Sequence, residues 1–281
     1  SDMLDNIDPA NHWMTDASAV FEDAENLYIG SNTLTDAQFQ FALATWVDNS
    51  AVADNIFGNI TTWNTALVTD MSNAFNKDAG AYASIDGSQN LTSFNENIAG
   101  WDTGNVTTMQ YMFNGTSFNQ DISSWNTINV ITMASMFRES KFDQNIGYWN
   151  VSKVELMSSL FTRSPFNQNI ALWNVSKVLS MKHMFFRYSD DSTDNLFDHD
   201  ISSWNVSNVR NMHRMFRESV FNQNIGSWNV NSVTDMDEMF HSNHEFNQDL
   251  RDFTWDISSG ASTSDMLDNI DPANHWMTDA S

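Results

Sequence analysis

Cysteine is absent from the 281 residues, which removes disulfides and thiol chemistry from any account of this chain. The absence leaves the compartment open, because many bacterial surface proteins avoid cysteine. Bases are scarce: 12 Lys and Arg face 36 Asp and Glu, for a formal net charge of −24. That balance disfavours nucleic acid as a partner. No run of 18 apolar residues occurs, so no membrane-spanning helix is expected. There is no glycine-rich phosphate loop, no H-E-x-x-H and no G-x-S-x-G. The chemistry that those motifs carry is therefore not expected, and the chain reads as a non-enzyme with no cofactor.

What is present is repetition. FNQDISSWNTINVITMASMFRES (118–140) returns as FDQNIGYWNVSKVELMSSLFTRS (142–164), FNQNIALWNVSKVLSMKHMFFRY (166–188) and FNQNIGSWNVNSVTDMDEMFHSN (221–243). Tryptophan marks the register: Trp101, Trp125, Trp149 and Trp173 are 24 apart, Trp204 follows after 31, and Trp228 after 24 again. The extra residues fall between the Met-Phe pair and the next Phe, and are small, polar and acidic, as surface insertions are. Each repeat of about 24 residues has roughly six apolar side chains, too few to bury alone, so repeats must stack. Phe118, Phe142, Phe166 and Phe221 then lie over one another, as do the tryptophans. Val130, Met133, Met136 and Phe137 recur at i, i+3, i+6 and i+7, which predicts a short helix. Ile122 to Asn126, flanked by Asn, Asp and Ser, predicts a short strand. The expected fold is a repeat solenoid, with one short parallel strand and one short helix per coil.

Polar files recur as well. Asn126, Asn150, Asn174, Asn205 and Asn229 each follow a marker tryptophan, and a second Asn/Asp file precedes the isoleucine. A short amide or carboxylate satisfies backbone groups that a tight turn leaves unpaired. The alternative is a ligand or glycan surface. The Met stripe likewise reads as core, always followed by Phe, against a sticky binding face.

Residues 264–281 are an identical copy of residues 1–18, so residue 264 looks like the first residue of a second 263-residue unit. The domain reading has three parts: 1–56, a junction or capping element with one degenerate repeat; 57–257, a solenoid of about eight coils; and 258–281, the start of a second copy. Within the first part, Leu34-Thr35-Asp36 precedes a predicted helix over 36–47, with Phe39, Leu43 and Trp46 or Val47 on one side. Such an element would cover an exposed column end.

The coil pattern F-N-Q-D/N-I-x-x-W-N-x-x-x-V-x-x-M-x-x-M-F is similar to the BspA-like surface-protein repeat, closely across 94–250 and loosely across 57–93. The resemblance implies a leucine-rich-repeat-like solenoid on the outside of cells, linked to adhesion, with no catalytic residues. On this reading the chain is a structural segment of a surface fibre or filament that associates with itself, end to end or side by side. The alternative is a cell-surface adhesin for host protein or glycan, with Tyr82, Tyr111, Tyr148, Phe186 and Tyr188 as scattered exposed-aromatic candidates.

Ten of the twelve bases lie within 101–217, alongside ten acids, so both ends are acid-rich. End-to-end joining then calls for neutralisation. Asp2, Asp5 and Asp8, and the loop Asp190, Asp191 and Asp194, are oxygen-rich enough for calcium, although neither set has EF-hand spacing. The other reading is solvated loop acids. Paired catalytic carboxylates would have to differ from their repeat neighbours, and only Asp190 and Asp191 do so in the inserted loops. His241 and His244, three apart beside Glu245, are a thin metal signal.

Overall fold

A computed structural model describes residues 33–78, 91–187, 196–249, 253, 255–257 and 260–268. Within them the chain forms successive coils, each laid on the last in parallel register. One bridge position recurs: Asp70 pairs with Thr108, and Thr108 with Thr132. Pairing then continues through Leu156, Ser180, Asn211 and Asp235 to Ser262.

The hydrogen bonds explain how one coil holds the next. In the coil that contains Trp125, the N–H groups of Met133, Ser135, Phe137 and Glu139 donate forward to the carbonyls of Leu156, Ser158, Leu160 and Thr162, at 2.8–3.1 Å. Ile131 donates in the other direction, to Thr107. The intervening N–H groups close turns within the coil: Met136 to Met133, Arg138 to Ser135 and Ser140 to Phe137. Every second donor therefore serves the neighbour, and every other one serves its own turn.

This pattern replaces the short helix expected over Val130–Phe137. A helix would send each N–H back four residues with φ negative throughout. Here Ser135 and Glu139 have φ of 57° and 55°, in the left-handed region, and the segment is a run of tight turns with one bridging residue, Thr132. Those turns deliver Val130, Met133, Met136 and Phe137 to the same interior, all fully buried. The strand expected at Ile122–Asn126 is also displaced. Ile122 to Trp125 is a turn, closed by the Trp125 N–H on the Ile122 carbonyl at 3.1 Å, and the parallel pairing lies at Thr132. Asn and Ser around the isoleucine form turns there rather than bounding a strand.

The N-terminal side of the column is covered by two helices. Helix α1 (Asp36–Asp48) starts at a capping box, in which the Thr35 side chain accepts from the Gln38 N–H and the Gln38 side chain returns to the Thr35 N–H. Asn49 ends α1 and caps α2 (Ser50–Phe57) by accepting from Ala51 and Val52. The buried face of α1 comprises Phe39, Ala42, Leu43, Trp46 and Val47. Phe39 meets Trp101 edge-on at 5.4 Å, and Trp46 meets Phe94 at 5.6 Å. Thr33 bridges Asn64, and the Asp36 carboxylate accepts from the Thr69 N–H, the Thr69 hydroxyl and the Asp70 N–H at 2.6–3.1 Å. Those donors belong to the coil that contains Trp63, so α1 is tied to the backbone of that coil.

At the other side the stacking passes residue 257 and takes in Ser264–Asp268, the described start of the duplicated segment. Met236, Glu238, Phe240 and Ser242 donate to the carbonyls of Ser262, Ser264, Met266 and Asp268. Met266 and Leu267 thereby occupy the positions of Met136 and Phe137, packed against the core.

Asp36 gives the cap a pH signature. Burial raises its carboxyl pKa, but the bonds from Thr69 and Asp70 outweigh burial and hold it below 3.8. A depressed folded-state value means that the carboxylate stabilises above the unfolded pKa, and that this contribution fades as pH falls through the folded value. Asp36→Asn should therefore be destabilising at pH 7 and close to neutral near pH 2, measured by urea unfolding at both pH values. An equal loss at both would contradict the assignment.

Candidate functional site

The features that recur from coil to coil are ladders of equivalent side chains. Trp101, Trp125, Trp149, Trp173, Trp204 and Trp228 are buried, with at most 4% of their surface exposed. Each indole N–H donates to an isoleucine carbonyl in the preceding coil, from Trp101 on Ile60 to Trp228 on Ile201, at 2.9–3.3 Å. Trp125 and Trp149 are 6.4 Å apart with their planes 6° from parallel, and Trp204 and Trp228 are 6.5 Å apart at 4°. A buried indole that lacks an acceptor would be penalised, so the stack and the hydrogen bond reinforce one another.

Two phenylalanine files interleave beside the indoles. Phe118, Phe142, Phe166, Phe197 and Phe221 succeed one another at 6.2–6.4 Å. Phe137 lies 3.9 Å from Phe142 and 5.9 Å from Phe161, so the two files share one stack. Methionine fills the remaining interior; Met133, Met136, Met157, Met181 and Met184 are fully buried.

The asparagines do turn work. The side-chain oxygens of Asn126, Asn150, Asn174, Asn205 and Asn229 accept from the N–H two residues on, at 3.1–3.2 Å. Asp121, Asn145, Asn169, Asp200 and Asn224 do the same before the tryptophan. The N–H of Ser123 holds the Asp121 carboxyl below its ordinary value, and the Ser202 side chain and N–H do so for Asp200. Between coils, Asn119 accepts from the Asp143 N–H, and Asp143 from the Asn167 N–H, both at 2.9 Å.

Among the central bases, Arg138, Arg163, Arg214 and Arg217 enter ion pairs, some within a coil and some between coils. Glu139 receives Arg138 at 2.6 Å, and both Lys77 and Arg163 at 3.3 Å. Glu238 pairs with Arg214 at 2.5 Å and also with Arg217, which in turn meets Glu218 at 3.0 Å. Singly such partly exposed pairs contribute little, but Glu139 and Glu238 each join more than one base.

The calcium candidates Asp2, Asp5, Asp8, Asp190, Asp191 and Asp194 lie outside the described residues, as do Tyr82 and Tyr188. His241 bonds Ser242 at 3.0 Å, and the structure does not gather His241, His244 and Glu245 into a three-donor group. Of the aromatic candidates, Phe186 is buried with Arg217 over its ring at 5.8 Å, whereas Tyr148 is 83% exposed. Leu172, at the same position of the next coil, is 76% exposed. Reasoning from sequence missed one constellation, in which His213, Asp235 and Asp237 bring donor atoms within 4.8 Å of one another. They are 22 and 24 residues apart in sequence, and only the coil-on-coil register brings them together.

Stacked coils with recurring ladders define a repeat protein. The family model described as "Mycoplasma protein of unknown function, DUF285" matches residues 45–87, 86–195 and 192–279, and the chain belongs to that family. No curated protein and no solved structure matches it.

The ladder makes a quantitative demand. Trp149→Ala removes an indole, its bond to Ile122 and its contacts with Trp125 and Phe137, so it should be destabilising by about 3–5 kcal/mol in chemical denaturation. A change below about 1 kcal/mol would contradict the ladder as the source of stability.

Proposed function

We propose that this chain is a non-catalytic structural segment of an extracellular surface fibre, built as a leucine-rich-repeat-like solenoid. The observation that carries the reading is the uptake of Ser264–Asp268, the first residues of the duplicated segment, as a further coil on 235–242. A segment that opened an independent body would have no reason to accept, through its carbonyls, the N–H groups of the column before it. The duplication thus continues the stack, and a protein of several 263-residue units would be one continuous load-bearing element. The resemblance to BspA-like repeats supports a place outside the cell. Turnover is not expected, because the recurrent positions are committed to core, turns and ion pairs.

A second reading as an adhesin draws on Tyr148 and Leu172. They occupy the same position of adjacent coils, where neighbouring coils carry Ser124 and Ser203. Large exposed apolar groups side by side on an otherwise polar face mark a contact surface.

Electron microscopy of a chain carrying two 263-residue units, joined at residue 264, tests the fibre reading. The expected particle is a single rod with a fixed relation between its two columns. Two separate bodies at variable angles would overturn it. Tyr148→Ser with Leu172→Ser, assayed for binding to cells and glycan arrays, addresses the adhesin reading. Loss of a specific binding signal supports it, and the absence of binding by the unaltered chain counts against it.

A further inference from the structure

His213, Asp235 and Asp237 stand on the outward side of two successive coils. In repeat register, Asp235 follows Thr132, Leu156, Ser180 and Asn211, and Asp237 follows Ala134, Ser158, Lys182 and His213. The backbone is equivalent in every coil, but imidazole and carboxylates coincide here and at no other described coil junction. Such a departure from repeat equivalence marks a single special place on an otherwise uniform surface.

The separation of His213 and Asp235 fits a shared ion better than it fits a hydrogen bond. His213 Nδ1 is 3.5 Å from Asp235 Oδ1, at the far limit for a hydrogen bond. Two donors each about 2.1 Å from a tetrahedral ion are about 3.4 Å apart. All three donor atoms lie within 4.8 Å of one another, and all three residues are half-buried. Each carboxylate is also oriented from behind. Asp235 Oδ2 accepts from the Asn211 amide at 2.9 Å, and Asp235 Oδ1 from the Asp237 N–H at 3.2 Å. Asp237 Oδ1 accepts from the Ser262 hydroxyl at 2.5 Å and the Ser264 N–H at 2.7 Å. Outer-shell bonds of this kind fix ligands and keep other lone pairs available. Behind His213, the ring of His183 lies 5.3 Å away, and its Nε2 is buried without a hydrogen-bond partner.

We infer that His213, Asp235 and Asp237 form a binding site for a divalent transition metal of the zinc class, with water in the remaining position. The ligand set argues for the class: imidazole suits zinc and its neighbours, whereas calcium needs six to eight oxygens. Ser262 and Ser264 belong to the coil containing the duplicated segment, so the ion would be braced by three successive coils.

Calorimetric titration of the whole chain with zinc chloride at pH 7, with cobalt as a visible-spectrum probe, tests the site. The expected result is one ion per chain, with cobalt absorption showing nitrogen and oxygen ligands. His213→Ala and Asp237→Asn should each weaken binding at least about tenfold, while His241→Ala leaves it unchanged. The two variants alter different coils, and far-UV spectra of the metal-free proteins establish that each is folded. Weak, multi-site zinc binding that both variants retain would overturn the site, as would displacement of zinc by equimolar calcium. The outcome is independent of fibre formation, because it is read on single chains.

Discussion

The bond from each tryptophan indole of the 101–228 ladder to the isoleucine carbonyl of the coil before it is the constraint from which the rest follows. It joins the largest apolar side chain of one coil to the backbone of its neighbour, and so sets lateral position and rotation together. The contact ignores chain length. Trp204 reaches Ile170 across 34 residues at 3.2 Å, and Trp173 reaches Ile146 across 27 residues at 3.1 Å. The seven additional residues fall, in sequence, between Phe186 and Phe197, and the phenylalanine file continues from Phe166 to Phe197 without a break. Repeat length therefore varies between the Met-Phe pair and the next phenylalanine, and the stacked positions keep their register.

Once the coils are in register, their polar groups divide the remaining work. Forward-donating N–H groups link coil to coil, and asparagine and aspartate close the corners. The arrangement puts ordinary residues into left-handed backbone: Tyr111, Ser135, Ser159, His183, Arg214 and Glu238 at one position, and Glu139, Arg163, Glu218 and Ser242 four residues on, all near φ of 55°. Each costs of order 1 kcal/mol relative to relaxed backbone. Among the described residues, only Gly115, at φ 71°, occupies the second position without that penalty. The same positions carry Glu139 and Glu238, the hubs of the two ion clusters, so the strained turns also hold the acids that bind the central arginines.

Much of this was legible in the sequence, because a column repeats its chemistry. Tryptophan, phenylalanine and methionine recur at fixed intervals, and those residues are the buried ones. The local path of the chain was not legible. Apolar residues at i, i+3, i+6 and i+7 fit a helical stripe, but consecutive three-residue turns with left-handed corners give the same spacing. Nothing about Ser135 or Glu139 announces a positive φ that glycine or asparagine would have signalled. Helix α1 was legible, since Leu34-Thr35-Asp36 precedes a real stripe through Phe39 and Leu43; the Gln38 half of the capping box, the end at Asp48 and the joint burial of Trp46 and Val47 needed the structure. The His213–Asp235–Asp237 group was hidden for another reason. Its members come from different coils and meet only through the bridge between Asn211 and Asp235.

Exchange of the indole N–H protons, followed by NMR in heavy water, tests the central constraint most directly. Slow exchange of the signals from Trp125, Trp149, Trp173, Trp204 and Trp228, lost together only on global unfolding, is the result the stacked column predicts. Exchange of the central indoles at the rate of free tryptophan would mean that these rings are neither bonded nor shielded, and would contradict it.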